Sequence, residues 1–247
     1  MTLRSNMSMR LDHVVVLVAD LESAVNEWAA HGFTVTPGGI HADGQTHNAL
    51  IGFADGSYVE LIAFRVPNPS HRWARYRNFW GLIDICFCAS PLLHTVQQLR
   101  ALGVAFTEPT EGGRMRPDGV VLRWRASFPE RGDLGLPFLI EDLTPRELRV
   151  PHGNGALHAN AARGIAQVRI GVLDLHAAQP AFDALLGKPE ELPNARVYHL
   201  AGCSVWLHQP SAGSPDADWL ARRGAGPLAI TFAAPTPLVF AAGSGFK

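Results

Sequence analysis

At 247 residues, with 47% hydrophobic and 17% charged content, the chain can bury a sizeable core and has the composition of an ordinary globular protein rather than a disordered one. A formal net charge of −1 gives no basic footprint for nucleic acid. No apolar run reaches the roughly 20 residues of a membrane span, so small molecules are the expected partners, with no nucleic acid and no membrane.

Met1 to Arg10 is polar and lacks both an apolar core and a small-residue cleavage site. It reads as a disordered start, with Met9 as an alternative initiator, and gives no sign of export. The three cysteines are an odd number, and Cys86 and Cys88 sit two apart on one strand, a poor geometry for a bridge. A reduced, cytoplasmic protein is expected. Arginine far outnumbers lysine, Lys188 and Lys247 being the only two lysines; genome base composition accounts for this more simply than a demand for planar anion donors.

Leu11 to Phe64 sets the pattern for the rest. Leu11–Val18 is an apolar strand containing His13, and Ser57–Phe64 is a second one containing Glu60. Between them Leu21, Ala24, Val25, Trp28 and Ala29 recur at helical spacing, with Asp20 placed to cap and Gly32 to terminate. Strand alternation puts Val14, Val16 and Val18 on the face that covers Ala24 and Trp28, and turns His13 away from the helix. By the same alternation Glu60 shares a face with Tyr58 and Ile62. The unit is β-α-β-β-β.

The unit recurs. Superposing His31-Gly32-Phe33 on Leu102-Gly103-Val104 lays Val14–Ala19 over Ile85–Ser90 and replaces His13 by Asp84. The second helix takes Ser90 as cap and Pro91 in its first turn. The unit continues through Val104–Phe106, a Gly/Pro-rich excursion GGRMRPDG, the strand Val120–Ala126 and the closing strand Leu136–Glu141. Thr144–Gly164, rich in Pro and Gly, reads as a linker. A third unit opens with IAQVRIGVLDLHAA, placing Gln167 at the His13 position and Trp206 near that of Glu60. A fourth first strand, Gly226–Ala234, carries Ala229 at the Asp84 position. The expected division is a paired unit over residues 10–147 (modules 10–65 and 80–147), a linker over 148–163, and a degenerate, shortened second half over 164–247.

The stretches LDHVVVLVADLESAVNEW, HADGQTHNALIGF and GSYVELIAF resemble the glyoxalase-like branch of the vicinal oxygen chelate superfamily, which includes glyoxalase I, bleomycin-resistance proteins and extradiol dioxygenases. The resemblance implies an α+β fold of paired βαβββ modules, whose mixed sheet curls around a cavity with the helices outside. It also implies metal ligands on the first and last strand of each module, which here are His13, Glu60, Asp84 and Glu141. Imidazole and carboxylate suit Zn, Mn, Fe, Co or Ni. Asp84 departs from the His, Gln or Glu more usual at its position. The alternative is a hydrogen-bonded polar face that never binds metal.

His41 and His47 flank the turn in HADGQTH. His41 reads as turn chemistry, while the resemblance, through its Thr-x-Asn pattern, marks His47 and Asn48 as substrate-binding. In RMRPDGVVLRWR, Arg123 and Arg125 share one strand face and Leu122 and Trp124 the other. If the apolar face meets the helices, the arginines point into the cavity, and Arg114, Arg116, Arg123 and Arg125 become candidates for recognising an anion. Pairing with acidic neighbours is the plainer reading. Cys86 and Cys88 read as small buried hydrophobes. The chain has no GxSxG, P-loop, GxGxxG or CxxC, so no nucleotide cofactor is expected.

The implied function is metal-assisted proton transfer, of lyase or isomerase type, on a small polar carbonyl compound, with Glu60 or Glu141 moving the proton. The rival is a ligand-sequestering protein of bleomycin-resistance type. Extradiol ring cleavage is disfavoured by Asp84. A homodimer is compatible with the resemblance.

Overall fold

The computed structural model describes residues 9–246; of the expected disordered start, Met1 to Arg10, residues 1–8 lie outside the described part, while Met9 is buried and Arg10 opens the first strand, which corrects the expectation at those two positions. Strands β1 (Arg10–Leu17), β2 (Thr36–His41), β3 (Thr46–Gly52), β4 (Tyr58–Phe64), β5 (Gly81–Cys88), β6 (Thr110–Met115), β7 (Val121–Ser127) and β8 (Phe138–Asp142) close into a barrel of order β1-β4-β3-β2-β6-β7-β8-β5. Helix α1 (Leu21–Ala30) follows β1, and α2 (Leu92–Ala101) follows β5. β1 runs parallel to β4 and antiparallel to β5, β5 runs parallel to β8, and β2 pairs antiparallel with β6, so the two modules meet along two seams, β1–β5 and β2–β6. This is the α+β architecture the sequence implied.

The alternation in β1 decides inside from outside. Val14 and Val16 pack outward with Ala24 and Trp28, while Val15 and Leu17 join Ile62, Ile83, Phe138 and Ile140 inside the barrel. Asp20 caps α1, accepting from the Ser23 amide at 2.8 Å. Two local expectations are corrected. Ser90 does not cap α2: Pro91 holds that position without a side-chain bond, and the Ser90 hydroxyl donates to Glu141 instead. GGRM is not a loop excursion but part of β6, because a Cβ on Gly112 would stand 2.6 Å from the Trp124 indole nitrogen, so glycine there serves close packing across to β7.

The chain then makes a short helix, α3 (Arg146–Arg149), and a stretch that ties back to the barrel: His158 Nδ1 accepts from the Thr34 amide at 3.0 Å, and its Nε2 lies 2.8 Å from the Gly52 carbonyl oxygen. The second half comprises β9 (Ile165–Gly171), α4 (Leu175–Leu186), β10 (Glu190–Leu192), β11 (Ala195–Leu200), β12 (Cys203–His208), α5 (Pro215–Arg223), β13 (Gly226–Phe232), β14 (Val239–Ala241) and β15 (Gly245–Phe246). They build a seven-stranded sheet, β10-β11-β12-β9-β13-β14-β15. β9 pairs parallel with β12 and antiparallel with β13, repeating the relation of β1 to β4 and β5. Asp174 caps α4 as Asp20 caps α1.

The halves share a core. Val14, Val16, Ile85 and Phe87 from the outer face of the barrel belong to one apolar cluster with Val168, Ile170, Ile230 and Phe232. Trp28 lies 4.9 Å from Phe240 and 4.7 Å from Phe246, ring centre to ring centre. Among the described residues no helix is long and apolar enough to cross a membrane.

Candidate functional site

Inside the barrel lies a cavity of about 330 Å³. Leu50, Trp73, Trp124, Phe128, Phe138 and Ile140 give it apolar walls, and His13, His41, Asn48, Glu60 and Arg114 a polar end. Each polar side chain is delivered by alternation: His13 from β1, Thr46 and Asn48 from β3, Tyr58 and Glu60 from β4.

Glu60 is buried. Its Oε1 accepts from Asn48 Nδ2 at 2.6 Å, which fixes the Asn48 amide orientation because a carboxylate can only accept. Asn48 Oδ1 is then left buried without a partner. A Cβ on Gly38 would fall 2.0 Å from that oxygen, so the bare backbone of β2 makes room for the amide. His13 Nε2 stands 3.6 Å from Glu60 Oε2, and His41 Nε2 stands 3.5 Å from Glu60 Oε1.

Asp12 is wholly buried at a register shift between Leu11 and His13, which gives it no partner on β5. Arg149 grips both its oxygens, at 2.9 and 3.0 Å, and Arg146 adds a contact to Oδ2. Burial works against its charge, but the Arg149 guanidinium and the hydrogen bond with His13 outweigh burial and hold the carboxyl well below its ordinary range. Asp12 is therefore an acceptor only, so His13 Nδ1, 2.7 Å away, must donate to it. The other ring nitrogen, His13 Nε2, faces Glu60. Tyr58 stacks on the His13 ring at 4.5 Å and receives a hydrogen bond from Arg149 at 2.6 Å; burial raises its phenol well above the usual value. Burial also lowers the His41 imidazole against the pull of Glu60, keeping it neutral near pH 7.

The fold brings some of the sequence candidates together and disperses others. His13, Glu60, Asn48 and Arg114 meet at the cavity. Asp84 lines an adjoining recess, accepting from Arg72 at 2.7 Å and from the Trp73 indole at 2.8 Å. Glu141 points out of the barrel to Ser90 at 3.0 Å, and its neighbour Ile140 takes the inward position. His47 is likewise on the outer face of β3, near Asp20 and Arg65, which corrects its expected place beside Asn48. Arg123 and Arg125 are exposed and pair with Glu111, because the apolar face of β7 lines the cavity rather than meeting the helices. Arg116 reaches the Leu148 carbonyl and Asp118 at the far end of the barrel. Arg114 is buried, with its donors on the Gly38 and Arg149 carbonyls.

The donor set bears on whether a metal fits. Two ligands at the usual zinc distances and a tetrahedral angle lie about 3.4 Å apart, close to the 3.5 and 3.6 Å separations around Glu60. Ligand atoms of Asp12, His13 and Cys86 also lie within 4.8 Å of one another. That trio is a poorer cradle: both Asp12 oxygens are held by arginines, His13 presents its proton-bearing nitrogen, and burial raises the Cys86 thiol well above its ordinary value.

Sequence reasoning missed Asp12, His41, His71, Trp73 and Arg149, all at or behind this cavity. His41 ends an irregular strand, β2, whose register shifts between Pro37 and Gly39. Arg149 comes from the segment without periodicity.

Residues 11–186 match the family described as "Glyoxalase-like domain". Among solved structures, a hypothetical protein from Staphylococcus aureus superposes with a TM-score of 0.68 at 13% identity, covering 82% of this chain and 87% of that one. A mutant of 4-hydroxymandelate synthase from Streptomyces coelicolor superposes with a TM-score of 0.61 at 13% identity, covering 89% of this chain and 69% of that one. At these identities the likeness is one of fold. No curated protein matches the chain.

Proposed function

The chain belongs to the glyoxalase-like family of the vicinal oxygen chelate superfamily, and we propose that it is a small-molecule enzyme in which Glu60 moves a proton on a small polar carbonyl compound, assisted by a divalent metal. The observation that carries this reading is the buried Glu60 carboxylate at the polar end of an apolar cavity, with the Nε2 atoms of His13 and His41 at 3.6 and 3.5 Å. A buried carboxylate without compensation is costly. Arg114 supplies part of the compensation from the cavity wall, and a cation at His13 and Glu60 would supply the rest.

Such an ion would polarise a carbonyl or enediolate oxygen as a Lewis acid. The chain does the positioning. Asn48 pins Glu60 Oε1 and so fixes the carboxylate, with Oε2 on the side of His13. Asp12 fixes the His13 ring, and Trp73, Trp124, Phe128 and Phe138 exclude water from the reacting carbon. Glu141, on the outer face, is not available for proton transfer.

The aromatic walls favour a second reading, ligand sequestration without turnover, because they would hold a flat apolar ring equally well. Proton–deuterium exchange separates the two. Incubated in D₂O with a panel of 2-hydroxy carbonyl compounds and 2-oxo acids plus a divalent cation, the protein should exchange the C–H beside the carbonyl of at least one, and Glu60→Gln should not. Tight binding of a panel member with no exchange would favour sequestration.

A further inference from the structure

Three arginines line the cavity, and they differ in what they have left to give. Arg149 spends its donors on Asp12, Asp142 and the Tyr58 hydroxyl. Arg114 spends both terminal nitrogens on the carbonyls of Gly38 and Arg149. Arg72, by contrast, makes one hydrogen bond among the described residues, from Nη2 to Asp84 Oδ2 at 2.7 Å.

Guanidinium chemistry turns that difference into a site. The group offers a carboxylate two planar edges, Nε with Nη2 and Nη1 with Nη2, and Nη2 carries one hydrogen for each. Asp84 takes one of those hydrogens, so one whole edge remains. The group is also held in place: its central carbon lies 4.0 Å from the centre of the Phe128 ring, 4.7 Å from that of Phe138 and 4.9 Å from that of Trp73. Asp84 is fixed in turn, Oδ2 accepting from the Trp73 indole at 2.8 Å and Oδ1 from the Ile85 amide at 2.9 Å. A donor edge oriented in advance costs little side-chain freedom when it is used.

Phe138 also meets the His13 ring, centre to centre at 5.5 Å. Arg72 and His13 thus share one aromatic neighbour, and a small molecule can span from the guanidinium to the polar end with its apolar part against the wall. The acids nearer the surface are engaged elsewhere, Glu111 with Arg123 and Arg125, and Asp43 with the Gln45 amide.

Resting on the preceding reading of this cavity as a substrate site, we propose that Arg72 is its specificity-determining residue and takes the carboxylate of a small 2-hydroxy or 2-oxo acid on its free edge. Asp84 is the positioning residue, which gives a use to the departure from His, Gln or Glu at that position. A planar, singly charged carboxylate matches one edge of a cation already shared with Asp84. A phosphate dianion would be repelled by Glu60 within a cavity of only about 330 Å³.

The test titrates the whole protein by calorimetry with phenyllactate, phenylpyruvate and lactate, each against its own neutral amide of the same size. A charged hydrogen-bonded pair discriminates by roughly 10–100-fold, so the wild type should bind at least one acid that much more tightly than its amide. Arg72→Gln should bind the acid and the amide within a few-fold of each other. Arg75→Gln removes the same charge from the adjoining recess and should keep the wild-type preference. Circular dichroism checks the fold, which Asp84 still supports through Trp73 and Ile85. Should the glutamine variant unfold, Arg72→Lys keeps a charge beside Asp84 without the planar edge and should cut the preference by roughly 10-fold. No preference in the wild type, or a full one in the folded Arg72 variant, overturns the assignment. Deuterium exchange on neutral 2-hydroxy carbonyl compounds keeps the two readings apart. Glu60-dependent exchange without any preference for acids leaves proton transfer standing and removes Arg72, whereas an Arg72-dependent preference without exchange leaves the carboxylate subsite standing and removes proton transfer.

Discussion

Arg149 lays its guanidinium across both carboxylate oxygens of Asp12, Nη1 to Oδ1 at 2.9 Å and Nη2 to Oδ2 at 3.0 Å, linking the segment after the barrel to the strand that begins it. The same arginine reaches Asp142 and the Tyr58 hydroxyl. It closes one end of the barrel and sets, through Asp12, the ring of His13.

Breaking this buried pair should be expensive. Removing one partner of such a pair leaves an uncompensated charge and costs about 3–5 kcal/mol, so Arg149→Leu is expected to lower unfolding free energy by that amount in urea. A loss under about 1 kcal/mol, the value of an exposed ion pair, would show that the cluster is hydrated and structurally minor.

The pair also fixes the sign of an acid limb in stability. An aspartate titrates near 3.9 in the unfolded chain, and folded Asp12 titrates well below the ordinary carboxylate range, burial being outweighed by Arg149 and the hydrogen bond with His13. A depressed folded pKa contributes stability that is complete above the unfolded pKa and is lost as pH falls through the folded one. Stability should therefore decline below about pH 4, and less steeply in Asp12→Asn. Parallel acid limbs in the two proteins would contradict the assignment.

The cysteines should be unreactive in the folded protein. Burial first, then the neighbouring Asp12 charge, pushes the Cys88 thiol up to about 12, and burial pushes Cys203 to about 12 and Cys86 well above its usual value. Thiolate is the nucleophile, so alkylation of the folded protein at pH 8 should run roughly a thousand-fold slower than that of a free cysteine. Titration after denaturation without reductant should count three thiols, in line with the three free cysteines. Fast labelling of Cys88 would indicate that the Asp12 cluster opens in solution.

The first module was legible because its signals are local. Periodicity, the Asp20 cap and strand alternation are written within one stretch, and they correctly set Val14 and Val16 against Ala24 and Trp28. Alternation tells which residues share a face but not which face lies inside a barrel whose two sides are both apolar, and this is why the sequence leaves Arg123 and Arg125 open between an inward place and pairing with an acidic neighbour, of which the structure takes the second, with Glu111. At β8 a shift of one residue exchanged Glu141 for Ile140. Asp12 and Arg149 lay beyond local reading, since one sits at a register shift and the other is 137 residues away in a segment without periodicity.

The shared core predicts one cooperative transition for both halves. Trp28 is buried against Phe33, Phe240 and Phe246, so Trp28→Ala should cost about 3–5 kcal/mol and shift the unfolding of the whole chain. Calorimetry should show a single peak in wild type and variant. Two resolved peaks, with only one moved by the substitution, would mean that the halves fold independently.

Glu60 gives the most direct test of a metal-assisted site, through thermal unfolding of wild type and Glu60→Gln with saturating divalent cation and with chelator. An ion bound at about a hundred times its dissociation constant adds about 2.7 kcal/mol, so chelation should lower the wild-type melting temperature by roughly 5–10 °C. Glu60→Gln should melt low in both conditions and ignore the chelator. A wild type indifferent to chelator, with Glu60→Gln melting at the same temperature or higher, would contradict the account and leave a polar cavity that binds its ligand without metal.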